Sequence, residues 1–123
     1  MVLWGREEAC ATMATVAAVR KLLPPPPAAA GGTPLSSRDQ VEALLAQAGL
    51  TPLASGEVAC AFAFPDLETA VRGLMSAGVM VAAAQQVGDE AVRRAVAASL
   101  TPFRTIAGGY CQRNTFRYVI ASA

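Results

Sequence analysis

Histidine is absent from this sequence altogether, and that removes a large share of familiar chemistry. No Ser–His or Cys–His pair can form, and no metal can be held by imidazole. Cysteine is scarce. Cys10, Cys60 and Cys111 are too few and too widely spaced for a zinc cluster, and an odd number excludes a complete disulfide framework within one chain. Reduced, buried thiols of a cytoplasmic protein are the expected state. Charge is thin as well: charged residues make up 15% of the chain, against about 25% in an average globular protein. The net charge of +1 leaves no basic footprint for nucleic acid. No run approaches the ~18 uninterrupted apolar residues of a membrane span. Met1 to Gly5 also lacks the basic region and apolar stretch of a signal peptide. A cytoplasmic protein with neither nucleic acid nor membrane as partner is expected.

What is present is an alanine-rich, 54% hydrophobic chain of 123 residues, the size of a single domain. Such a chain carries more apolar surface than it can easily hide, which implies an oligomer, a missing piece or a large apolar ligand cavity. Val2-Leu3-Trp4 reads as the end of a strand closed by Gly5, as though beginning in mid-element. A helix is expected from Glu7 to Leu23, with Glu7 and Glu8 at its start and Arg20 and Lys21 near its end, matching the helix dipole. Four prolines from Pro24 stop it, and residues 24–34 form a proline-rich surface loop.

Ser37 and Gln40 form a capping box for a second helix whose buried face is Val41, Leu44, Leu45 and Ala48. Gly49 supplies its left-handed end, with Leu50 folding back onto Leu45. Thr51 to Phe64 is a strand region with a turn or bulge at Ser55-Gly56. Its half from Val58 to Phe64 is apolar on both sides, as in a strand covered on both faces. Asp66 caps a third helix carrying Leu67, Val71, Leu74 and Met75, ended by Gly78. A short alanine-rich segment from Val79 to Val87 follows. Asp89 caps a fifth helix with Val92, Ala95, Val96 and Leu100 at helical spacing, closed by Thr101-Pro102. Gly108-Gly109 turns into a long strand from Tyr110 to Ala121. One of its faces holds Tyr110, Phe116, Tyr118 and Ile120, the other Cys111, Arg113, Thr115, Arg117 and Val119.

The polar residues do not assemble a catalytic set. Gly31-Gly32 lies in the proline loop and Gly108-Gly109 precedes a strand, whereas a phosphate-cradling loop needs a strand before it and a helix after it. Glu7-Glu8 and Asp89-Glu90 stand adjacent at helix starts, where neighbours point apart, so they read as dipole residues rather than an acid–base pair. Arg93-Arg94 and the Arg113/Arg117 pair read as solvated faces. Trp4 carries two readings, a core residue or a ligand contact, because ligands of open α/β sheets bind beyond the carboxyl ends of the strands.

The run VLWGREEACATMATVAAVRKLLPPPP resembles the segment of small-molecule class I S-adenosylmethionine-dependent methyltransferases that begins at the fifth sheet strand. There a strand ending in Trp-Gly leads through an acidic residue and a cysteine into a helix and a proline-rich loop. LSSRDQVEALLAQAGLTPLASGEVACAFAFPDLETAVRGLMSAG resembles the helix, sixth strand and substrate-side helices that follow. LTPFRTIAGGYCQRNTFRYVIASA resembles the closing strand, antiparallel between the fifth and sixth. The resemblance spans essentially the whole sequence.

It implies an α/β fold: a partial Rossmann-like sheet of about three strands, the last antiparallel and central, flanked by about five helices. It further implies the C-terminal, substrate-side half of a methyltransferase, without the half that holds the methyl donor. S-adenosylmethionine is then expected only in the complete enzyme, and no cofactor or catalytic residue carries onto this sequence. The substrate-pocket candidates that do carry over are Trp4, Arg72 and Met75. A half of this kind is expected to be inactive alone and to need a complementary N-terminal chain or another copy of itself. The alternative is a non-enzymatic homo-oligomeric binding module for a hydrophobic small molecule.

Overall fold

Aromatic and β-branched residues without proline make Tyr110–Ser122 a strand, β3, and everything else in the sheet is organised on it. The computed structural model describes residues 1–25 and 38–123. Most of the proline-rich loop, and the Ser37 half of the capping box, lie outside them. β1 (Val2–Trp4) and β2 (Thr51–Phe64) both pair antiparallel with β3, giving the order β1-β3-β2 with the last strand in the centre. Among the described residues this is the α/β arrangement expected from the sequence, three strands with five α-helices.

Side chains alternate across the sheet, so the register sorts them into two faces. Trp4 pairs with Phe116 and Phe62 with Gln112, which places Trp4, Phe62, Phe64, Tyr110, Gln112, Asn114 and Phe116 on one face. Over this face α1 (Thr12–Arg20), α3 (Leu67–Met75), α4 (Gly78–Val87) and α5 (Asp89–Ser99) build the main core. α5 touches the other three. Val19, Ala70, Met80, Ala83, Val92, Val96 and Leu100 are sealed within it, with Phe64 and Tyr110 packed against them. On the opposite face α2 (Arg38–Gln47) presents Val41 and Leu45 to Leu3, Val119 and Ala121, a smaller second core.

Several expectations are corrected. The first helix begins at Thr12, not Glu7: Glu7–Ala9 forms only a 3-10 turn, and Cys10 is extended. The cause lies in β3. Its Arg113 carbonyl accepts the Ala11 amide at 2.9 Å and Asn114 Oδ1 accepts the Thr12 amide at 3.0 Å, while the Cys10 thiol donates to the Thr115 carbonyl at 3.2 Å. Backbone donors that a longer helix would consume are spent on the sheet. β2 runs without a break through Ser55-Gly56, and its irregularity falls between Pro52 and Ala54, where proline has no amide to donate. Nor is the stretch from Val58 to Phe64 covered on both sides. Among the described residues β2 is an edge strand, Val58 is 51% exposed, and between Val58 and Phe64 the helices of the main core reach only the Phe64 end.

Smaller corrections follow the same pattern. On α2, Val41 and Leu45 are buried while Leu44 and Ala48 face outward. Gly78 opens α4 instead of closing α3, which ends at Met75 with Ser76 as its cap. Asp89 is the first residue of α5 and pairs with Arg93 at 3.7 Å, the cap position falling to Gly88. All three thiols are free, but Cys60 is exposed and Cys111 half-buried, leaving Cys10 as the buried one.

Other local signals hold. Gly49 has φ 72°, the Gly49 amide donates to Ala46 and the Leu50 amide to Leu45, the paired bonds that close a helix with a left-handed glycine. Asp66 caps α3 by accepting the Thr69 amide at 2.7 Å. Among the described residues no single helix is long and apolar enough to cross a membrane.

Candidate functional site

Where β1 ends, its last side chain meets two aromatic rings, one from the adjacent β3 and one from β2 beyond it. Trp4 stands 4.6 Å from Phe116 and 6.0 Å from Phe62 between ring centroids, the latter edge-on. Both distances suit offset or edge contacts between rings. Trp4 remains 39% exposed, so the cluster is a wall rather than a core.

Behind that wall is a cavity of about 810 Å³, bounded by the sheet, by α1 and by the junction of α3 with α4. Trp4, Phe62 and Phe64 come from the sheet, Met13, Val16 and Arg20 from α1, and Leu74, Ser76, Val79 and Met80 from the α3–α4 corner. The helix spacing explains α1's contribution, since Met13, Val16 and Arg20 stand at i, i+3 and i+7 on one stripe. The volume falls within the range of small-molecule pockets, and the lining is mostly apolar as such pockets are.

The floor beside Thr12 is fixed by a buried polar seam. Gln112 and Asn114 are almost wholly enclosed. Gln112 Nε2 donates to Thr15 Oγ1 at 2.9 Å, and Gln112 Oε1 accepts from Thr12 Oγ1 at 3.3 Å. The Ser99 hydroxyl of α5 donates to the Val96 carbonyl and lies 2.9 Å from Thr15 Oγ1. Among the described residues no enclosed side-chain nitrogen or oxygen lacks a partner, so the seam ties α1, α5 and β3 together as a closed network. Gln112 and Asn114 were not singled out in the sequence, because two amides in a strand acquire meaning only through partners about 100 residues away.

The three sequence-derived pocket candidates separate. Trp4 lines the cavity. Arg72 is exposed on α3, outside the lining. Met75 is half-buried against the main core and is likewise outside the lining. Arg20 is the charged residue of the lining, and its sequence position does not mark it, because a basic residue in the last turn of a helix is already explained by the dipole.

Among the described residues no cluster of three or more Cys, Asp or Glu side chains is placed to hold a metal. No carboxylate lines the cavity. Asp66, whose carboxyl pKa is displaced, lies outside the cavity. The Thr69 amide bond holds it below its ordinary 3.8. No protein-family model matches the sequence, and no curated protein or solved structure matches it either.

Proposed function

We propose that these residues form the substrate-side half of a methyltransferase-like fold, holding a small apolar acceptor in the cavity behind Trp4 and transferring no methyl group by themselves. The observation that carries this is the placement of Trp4 at the carboxyl end of β1, on the wall of an apolar cavity that the α3–α4 corner covers. The sheet order supports it, because the resemblance implies a final strand antiparallel between the first and second. Holding an acceptor in one orientation is most of what such a half supplies, since methyl transfer depends largely on proximity and alignment.

Calorimetry with S-adenosylmethionine tests the reading. Donor binding is expected only after a chain carrying the first four strands of a class I methyltransferase is added. Donor binding or methyl transfer by the 123 residues alone would overturn it.

One observation favours a second reading, a homo-oligomeric binding module. On the cavity face the sheet continues past the helices with Val2, Val58 and Ile120 at 66%, 51% and 53% exposure. A binding module would be indifferent to the complementary chain.

A further inference from the structure

The cavity lining contains one charged side chain, Arg20. Its polar neighbours are already engaged: the Thr12 hydroxyl donates to Gln112 and the Ser76 hydroxyl to the Gly73 carbonyl at 2.6 Å. Arg20 is not. Arg6 pairs with Glu8, Arg93 with Asp89, Arg94 with Glu90 and Arg117 with Glu57, and among the described residues no ion pair includes Arg20. Residues 26–37 contain no Asp or Glu. Met13 and Val16, on the same stripe of α1, turn that face of the helix toward the cavity. A guanidinium is a planar fork of donors that matches a carboxylate with two parallel hydrogen bonds.

From this geometry we infer that the cavity selects an apolar molecule bearing one carboxylate, its body against Trp4 and Phe62 and its anionic group on Arg20. The inference rests on the proposed acceptor-binding role of the cavity and adds the class of acceptor: small aromatic or aliphatic carboxylic acids rather than neutral apolar molecules. The dipole of α1 explains a basic residue in its last turn, but it makes no distinction between an acid and its ester.

The test compares naphthoate with its neutral methyl ester, titrated against the full chain. Binding is followed by the indole N–H resonance of Trp4, the sequence's single tryptophan. Naphthoate is expected to bind more tightly than the ester. Arg20→Gln is expected to weaken naphthoate binding roughly tenfold and to leave the ester unchanged, while Arg20→Lys restores part of the preference. If acid and ester bind the unmodified chain equally, or if Arg20→Gln keeps the preference, the carboxylate assignment is overturned and the cavity stands. If neither compound moves the Trp4 resonance, the cavity reading itself falls, and the assignment with it.

Discussion

Asn114, in the middle of β3, caps α1 from across the chain: its side-chain oxygen accepts the Thr12 amide at 3.0 Å. The cap position of that helix is Ala11, which has no side-chain acceptor to offer. An element 102 residues away supplies what the local sequence lacks. Asn114→Leu would leave the Thr12 amide enclosed and unpaired. The expected loss is about 1–3 kcal/mol, read from the midpoint of urea unfolding. An unchanged midpoint would mean that the amide finds another partner.

Leu100 and Leu53 should respond to alanine in opposite ways. Leu100 is fully enclosed at the C-terminal end of α5, and Leu53 is 65% exposed at the irregularity in β2. Leu100→Ala is expected to cost about 2–5 kcal/mol through lost burial and a residual cavity. Leu53→Ala should stay within about 0.5 kcal/mol of the parent. Equal losses would contradict the placement of the core.

Asp66 gives the protein an acid-sensitive cap. Its pKa is lowered first by the Thr69 amide hydrogen bond, so the folded state favours the carboxylate. The stabilisation is therefore complete above the ordinary carboxyl pKa and fades as pH falls through the lower folded value. The melting-temperature gap between the parent and Asp66→Ala should narrow on acidification. A gap independent of pH would show that the carboxylate charge contributes nothing.

Val58 and Ile120 should govern self-association. Both are apolar, exposed and on the same face of the sheet as the cavity, beside a β2 edge that pairs with no other strand among the described residues. Such an edge invites another strand. Sedimentation equilibrium should show association that rises with concentration and is abolished by Val58→Lys with Ile120→Lys. A parent chain that stays monomeric at high concentration would refute this.

Much of the fold was legible because its signals are local. Gly49-Leu50 announces the end of α2, Asp66 the start of α3, and the aromatic and β-branched run from Tyr110 announces β3. What misled were features set by distant partners. The apolar run from Val58 to Phe64 looks like a strand covered twice, yet helices reach only one end of it. The helical pattern from Glu7 is real in composition, but Cys10, Ala11 and Thr12 turn their polar groups to β3. In the candidate site Trp4 could be read from its place after a strand. Arg20 could not, because its ordinary role at a helix end hid its position on the cavity stripe.

The position of β3 in the sheet also dictates when the protein can fold. β1 meets β3 through Val2 and Tyr118, and β2 meets it through Phe64 and Tyr110, so both outer strands wait for a partner that follows them in the chain. During synthesis β1, the uncapped start of α1 and the exposed apolar length of β2 leave the ribosome unpaired, and nothing in the sheet can close until β3 emerges. Closing contacts this far apart in sequence makes folding slow. In the interval the apolar stretch of β2 is open to chaperones and to other nascent chains.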